Sequence, residues 1–209
     1  DDYEVIGELI NDMEFETLPA GVNDFVMYQQ GLFNLIKGFN QWSSENFKKI
    51  TKDSYWDFKF KYMNAIGDVA QNRVDQAIEK FSGIANSVLA PDDIRTEANH
   101  QYARLLFEKG DYPQAYKIFK QVKLSPREKG LILLERAWAK YYQKDYSKAL
   151  GLLAALEAPM FDTARSPEPY ILRMVMFKEL CQYDAAFETL KEYNARFAAP
   201  LKNIRRRRD

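Results

Sequence analysis

The fold is decided by residues 111–119, DYPQAYKIF, in which a small residue, Ala115, stands four positions before a large one, Phe119. The same small–large pair recurs along the chain at spacings of 34, 38, 34 and 37 residues. The five pairs are Ser43 with Phe47, Ala77 with Phe81, Ala115 with Phe119, Ala149 with Leu153, and Ala186 with Leu190. Five copies in one register indicate an internal repeat built from one supersecondary unit.

A second position, twelve residues before each small one, is also small in most copies. These positions are Gly31, Ala65, Ala103, Ala137 and, as an exception, the large Met174. Small residues on two antiparallel helices let the backbones approach closely, while the large residue of each pair fills the adjacent gap. Each repeat therefore predicts an antiparallel helix pair, and neighbouring pairs have to stack because one hairpin alone buries too little apolar surface.

The stretches between prolines carry apolar residues three and four positions apart, which is the period of an α-helix. Gly38 and Gly110 supply a permissive backbone at the turns within pairs. Asp111 and Asp145 are placed to cap the second helix of their pairs. Prolines between the stretches, including Pro200, predict helix breaks. The predicted fold class is all-α.

This pattern resembles the tetratricopeptide repeat family, whose repeat is a helix–turn–helix of about 34 residues. The best match is residues 96–126, with Tyr102, Gly110 and the closing Pro126. The resemblance implies an α-solenoid, a right-handed superhelix of antiparallel helix pairs whose first helices line a concave groove for a protein or peptide partner. The linker at 159–167 is longer than is usual in that family.

Three parts are expected along the chain. Residues 1–18 are acidic, with apolar residues at helical spacing, and predict a short helix that caps the first hairpin or docks elsewhere, including in a dimer. Residues 19–199 form the repeat array. Residues 200–209 form a basic tail that is either the exposed start of further chain or a contact for acidic protein, anionic lipid or nucleic acid. The expected units of the array are residues 24–52, 58–88, 96–126, 130–159 and 167–195.

When the groove positions of the family are matched to this sequence by their place in the repeat, the resemblance implies an unusually apolar groove. Its candidate residues are Tyr28, Leu32 and Leu35; Tyr62, Ile66 and Val69; His100, Arg104 and Phe107; Leu134, Trp138 and Tyr141; and Ile171, Val175 and Lys178. The predicted partner-binding residues among them are His100, Arg104, Phe107, Trp138, Tyr141, Tyr62 and Ile171. Trp138 and Tyr141 are the expected anchors, since aromatic side chains and Arg dominate interface hot spots.

A competing interpretation places the same stripes of the first, second and fourth hairpins in the core. It is favoured by polar residues that the groove register turns inward, at a cost in free energy unless they are paired. These residues are Gln30, Asn34, Asn64, Asp68, Arg136 and Lys140. The sequence leaves the two registers open.

In the third hairpin, Tyr102, Ala103 and Leu106 are core positions, which leaves His100 and Arg104 on the groove side. One helical turn apart, these two side chains are placed to grip a carboxylate of a partner, with Arg in bidentate geometry. The alternative is a solvated helix face with a satisfied histidine.

Composition excludes several classes of function. One Cys and one His exclude an intramolecular disulfide, a Cys-based metal site and a His pair. No Gly-rich phosphate loop, nucleophile elbow or metal-ligand spacing occurs, so we expect no enzyme activity, cofactor, metal or small-molecule substrate. Thirty Lys plus Arg balance thirty Asp plus Glu, which argues against general nucleic-acid binding. No apolar run approaches the ~20 residues of a membrane helix, although peripheral membrane association stays open.

We therefore expect a non-enzymatic interaction scaffold or adaptor that binds a partner peptide or helix in the concave groove. The alternatives are a structural component of a bacterial cell-envelope, secretion or motility assembly, and a sensor module of a larger regulatory protein. The sequence leaves open the identity of the partner, the oligomeric state, and whether the compartment is cytoplasmic or periplasmic.

Overall fold

The computed structural model describes residues 18–123, 129–161 and 166–205, together with Val5, and it describes side chains as far as Ala198. The expected capping helix over residues 1–18 therefore lies almost entirely outside the described residues, as does the run 206–209.

The described residues form ten α-helices, one short 3-10 helix and no strand, in agreement with the all-α prediction. The α-helices are α1 Ala20–Ile36, α2 Asn40–Lys48, α3 Tyr55–Ala70, α4 Val74–Ala85, α5 Asp92–Glu108, α6 Tyr112–Phe119, α7 Lys129–Tyr142, α8 Tyr146–Ala155, α9 Glu168–Glu179 and α10 Tyr183–Arg205. The 3-10 helix is Pro159–Phe161. No helix among the described residues is both long enough and apolar enough to cross a membrane.

The chain divides into two compact units, with the boundary inside α5, between Tyr102 and Ala103. In the first unit α1 packs on α2, α3 packs on α4, and α1 also contacts α3. In the second unit α7 packs on α8 and α9 packs on α10, while α6 contacts α7 and α9 contacts both α7 and α8. Each unit is therefore built from helix pairs that pack on their neighbours.

The small residues of the repeat are fully buried in most copies. Ala65, Ala77, Ala103, Ala115, Ala137 and Ala149 all have an exposed fraction of 0%. At Gly31 a Cβ atom would lie 2.5 Å from Cε1 of Phe47, so any larger residue would require that ring to shift. Ser43, on α2, uses its small side chain to donate a hydrogen bond of 2.8 Å to the Gly31 carbonyl.

The large residues fill the gaps as the repeat predicts, with one exception. Phe81, Phe119 and Leu153 are buried and Phe47 is half-buried against the core, whereas Leu190 on α10 is 39% exposed. No later helix pair among the described residues covers the side of α10 on which Leu190 lies. Its neighbour Thr189 is buried instead and donates its hydroxyl to the Ala185 carbonyl.

The five turns within helix pairs share one backbone motif. In each of them a single residue has a positive φ near 60° or 80°; these residues are Gly38, Asn72, Gly110, Lys144 and Cys181. The amide of Gly110 donates a hydrogen bond to the Phe107 carbonyl, and the next amide, that of Asp111, donates one to the Leu106 carbonyl. The same two bonds recur at the other four turns, which makes all five of them Schellman motifs. The glycine signal predicted only two of these turns.

The predicted caps are present. The Asp111 carboxylate accepts from the amide of Gln114 and the Asp145 carboxylate from that of Lys148. The break predicted at Pro200 is wrong, because α10 continues to Arg205. A proline removes one backbone donor from a helix, which weakens the helix there but ends it only when nothing else supports it.

Asp68 on α3 shows how the first unit accommodates an inward polar residue. Its side chain is 1% exposed and meets two cations of α4 and its turn: Lys80, at 2.6 Å, and Arg73, whose Nε donates at 2.9 Å. Hydrogen bonds from Lys80 and then Arg73 hold the pKa of Asp68 below its usual value. The cost of turning this carboxylate inward is offset by these two ion pairs.

Candidate functional site

The second unit contains a cleft of about 520 Å³ that is lined by residues of α5, α6, α7 and α9. We call it the aromatic cleft, and its lining residues are Arg104, Phe107 and Glu108 of α5, Phe119 of α6, Glu135, Trp138 and Tyr142 of α7, and Glu168 of α9. Trp138 and Tyr142 lie one turn apart on α7 and thus on one face of that helix. Apolar ring faces and charged side chains therefore meet in one concave surface, as in many ligand and peptide sites.

The rings in and beside the aromatic cleft form a continuous network. Tyr142 stacks on Tyr112 with ring centroids 4.7 Å apart, and Phe107 packs edge-on against both of these rings at 5.2–5.4 Å. Trp138 is stacked on Tyr142 at 6.0 Å and packs edge-on against Tyr141 at 5.7 Å. Such pairs stabilise by about 0.5–1.5 kcal/mol beyond their buried area, so the rings hold one another in place.

Two carboxylates of α9 anchor the polar ends of these aromatic side chains. The indole N–H of Trp138 donates to Oε1 of Glu168 at 2.6 Å. The hydroxyl of Tyr141 donates to Oε1 of Glu179 at 2.6 Å, and that of Tyr146 donates to Oε2. The hydrogen bond to Glu179 raises the pKa of Tyr141 to about 12 and also raises the pKa of Tyr146. These two hydrogen bonds, of which the bond from Tyr141 has the larger effect, lower the pKa of Glu179.

Arg104, one of the two residues placed to grip a partner's carboxylate, forms an ion pair within the chain. Its Nε donates to Oε1 of Glu135 at 2.6 Å, from the end of α5 to α7. Sequence reasoning did not find this pair because its members are 31 positions apart. One guanidinium donor of Arg104 is thus already engaged within the chain.

The register that the sequence left open differs between hairpins, and two groove candidates are in the core. Tyr28 is buried with Val26, Met27 and Ile50 in the core of the first hairpin. Leu134 is buried in the core of the second unit, against Ala137, Leu153 and Leu172 among others. For Tyr28 and Leu134 the core register, one of the two interpretations that the sequence left open, is therefore the one observed. Apolar periodicity alone does not tell a groove-facing stripe from a core-facing one.

The remaining candidates lie at the surface to different degrees. Tyr62 is half-buried, with its ring edge-on against Phe81 at 5.4 Å. His100 is half-buried on the part of α5 that belongs to the first unit. Ile171 is 45% exposed on α9. The structure therefore brings together Arg104, Phe107 and Trp138 in the aromatic cleft, with Tyr141 beside it.

Inward polar residues of the fourth hairpin are also paired. The Arg136 guanidinium lies 5.3 Å from the ring centroid of Tyr116 and the Lys140 ammonium 4.4 Å from it. Lys140 also forms an ion pair with Asp145 at 3.3 Å. Trp138 and Tyr141, on the same helix, are half-buried.

Sequence reasoning missed several members of the site. Tyr112, Tyr142 and Tyr146 adjoin residues that were singled out, and the adjacent pair Tyr141-Tyr142 was a usable signal. Glu135, Glu168 and Glu179 gave no signal, because their role depends on contacts between helices. Among the described residues, no group of three or more His, Cys, Asp or Glu side chains is placed to hold a metal ion.

A second cleft of the same unit, of about 560 Å³, lies by the 3-10 helix and the start of α9. Its walls include Leu131, Leu156 and Tyr170. Arg173, which also lines it, is engaged by Glu157 at 2.5 Å and by Glu192. This cleft contains none of the predicted partner-binding residues.

No protein-family model and no curated protein matches the sequence. Two solved structures are similar in fold. Pseudomonas aeruginosa pilF aligns with a TM-score of 0.56 at 13% identity, over 84% of this chain and 77% of that chain. A Podosopora anserina protein named after kinesin light chain, with nearly identical TPR-like repeats, aligns with a TM-score of 0.63 at 16% identity, over 89% of this chain and 100% of that chain. Together with the recurring helix pairs, these likenesses show that the chain has a tetratricopeptide-like repeat fold.

Proposed function

We propose that this protein is a non-enzymatic interaction scaffold and that a segment of a partner protein docks in the aromatic cleft. The observation that carries this proposal is the concave aromatic surface of the second unit, formed by Phe107, Trp138 and Tyr142. Aromatic side chains dominate the binding energy of protein interfaces because they bury large areas at a low cost in conformational entropy.

The preorganisation of the surface supports the proposal. Trp138 and Tyr141 are each fixed at the ring by aromatic neighbours and at the polar end by a carboxylate of α9. A side chain that is already held in place loses little rotamer freedom when a partner binds, so more of the contact energy appears as affinity. Half-buried rings with this support are better suited to docking than freely rotating ones.

Affinity capture from an extract of the source cells tests the proposal. The wild-type chain, a Tyr142→Ala variant and a Trp42→Ala variant are compared by quantitative mass spectrometry. Trp42 is exposed on α2 of the first unit and is not among the residues that line the cleft, so it serves as the matched control. We expect the Tyr142 variant to lose at least one partner that the Trp42 variant retains. Equal capture by all three chains contradicts the proposed site.

A further inference from the structure

We infer that the segment bound in the aromatic cleft presents a Lys or Arg side chain to it, flanked by apolar residues. This inference rests on the proposed function, because it names the chemistry of the partner at the same site. It follows from the charges that line the cleft and from the ring faces between them.

The lining of the cleft is acidic. It contains one cation, Arg104, and three carboxylates, those of Glu108, Glu135 and Glu168. Arg104 is bound to Glu135 at 2.6 Å, so its charge is already compensated within the chain. The other two carboxylates, those of Glu108 and Glu168, then make the electrostatic potential in the cleft negative.

Glu168 is held in the cleft by the indole of Trp138. The indole N–H occupies one position on Oε1 at 2.6 Å, and an ionised carboxylate has about four acceptor positions on its two oxygens. A neutral donor leaves the charge of the carboxylate in place. Glu168 is therefore oriented and still able to accept a charge-assisted hydrogen bond from a cation.

The rings between these carboxylates suit a cation as well. Trp138 and Tyr142 are stacked at 6.0 Å with 28° between their planes, and Phe107 stands edge-on to Tyr142 at 5.4 Å. Tyr142 already stacks on Tyr112 and Trp138, so the half-buried indole of Trp138 is the ring offered to a cation. Aromatic faces, indole above all, attract a guanidinium or an ammonium within about 6 Å of the ring centroid. A carboxylate from a partner meets the opposite situation, since the ring faces and the two glutamates all repel it.

The chain itself contains an example of the contact. In the same unit, the Lys140 ammonium lies 4.4 Å from the ring centroid of Tyr116 and pairs with Asp145 at 3.3 Å. A cation between a ring face and a carboxylate is thus a stable arrangement in this fold. The aromatic cleft offers the same two groups on an open surface.

Selection from a phage-displayed library of short random peptides tests the inference. The library is selected on the full wild-type chain and counter-selected on a Tyr142→Ala variant, so that enriched peptides require the aromatic cleft whatever their charge. Enriched peptides are then synthesised and titrated by calorimetry against the wild-type chain and against a Glu108→Gln/Glu168→Gln double variant, which keeps the shape of both side chains and removes their charges. Circular dichroism confirms that both variants are folded.

We expect the enriched peptides to carry Lys or Arg beside apolar residues, and we expect the double variant to bind them about tenfold or more weakly, the size of one lost charge-assisted contact. A matched peptide with Gln in place of each basic residue should lose a similar factor. Enrichment of acidic or uncharged peptides that still require Tyr142 overturns the inference and leaves the docking site standing. Failure to enrich any peptide that requires Tyr142 overturns both.

Discussion

The indole N–H of Trp138 donates a hydrogen bond of 2.6 Å to Oε1 of Glu168, and this bond joins α7 to the first turn of α9. It ties the first helices of two successive hairpins together at the surface where the aromatic rings are exposed. A carboxylate in the first turn of a helix is also stabilised by the helix dipole. The bond therefore contributes to packing between hairpins and to the shape of the aromatic cleft at once.

Trp138→Ala tests whether this indole belongs to the surface or to the core. Trp138 is half-buried and packs on the edge of the core of the second unit. We expect the variant to remain folded. Its free energy of unfolding should fall by less than the cost of truncating a fully buried Trp, which is about 3–5 kcal/mol. Chemical denaturation followed by circular dichroism measures this loss. A loss within or above that range places Trp138 in the core and removes it from the docking surface.

Leu172 and Ile171 are adjacent on α9 and provide a matched pair for the register of that helix. Leu172 is 0% exposed and Ile171 is 45% exposed. We expect Leu172→Ala to lower the free energy of unfolding by about 2–5 kcal/mol and Ile171→Ala to lower it by less than about 1 kcal/mol. The reverse order in denaturant titrations shows that the register of α9 is wrong.

Gly31→Ala tests the close approach of α1 and α2. A new Cβ meets Phe47 at 2.5 Å, so we expect overpacking to lower the free energy of unfolding by about 1–3 kcal/mol. At Gly67 on α3 a new Cβ would have no neighbouring atom within 4 Å, and Gly67→Ala should raise stability by up to about 1 kcal/mol through helix propensity. Thermal melts of both variants measure the contrast, and stabilisation by Gly31→Ala refutes the close packing.

Asp68→Asn tests the inward ion pairs of the first unit through their pH dependence. Because the folded chain holds the pKa of Asp68 below its ordinary value of about 4, its ionised form stabilises the fold above that pH. This stabilisation is lost as the pH falls through the lowered pKa of the folded state. We expect the variant to melt at a lower temperature than the wild type at pH 7. The difference should narrow as the pH falls below about 4. A difference that stays constant over this range shows that the charge of Asp68 does not contribute.

The repeat made the helix pairs predictable, because small and large residues at fixed spacing report close helix contacts within one hairpin. Gly31 and Phe47, or Asp111 and its cap, are local relationships of this kind. Which side of the first helix of each pair faces the core was not predictable, because it depends on contacts with other helices. Asp68 turns inward because Lys80 meets it there, and Leu134 is buried because α9 covers it. Periodicity shows which positions along a helix are polar or apolar, but it does not show which side chains of other helices they contact.

Site-specific photo-crosslinking tests the central claim most directly. A benzophenone amino acid is placed at Tyr142, which lines the aromatic cleft, and in a second chain at Trp42 of the first unit, and both chains are irradiated in the source cells. The account predicts a discrete protein adduct from position 142 that is absent from position 42, with the crosslinked segment of the partner carrying Lys or Arg. A partner that crosslinks at position 42 and not at position 142 contradicts the assignment of the aromatic cleft as the docking surface.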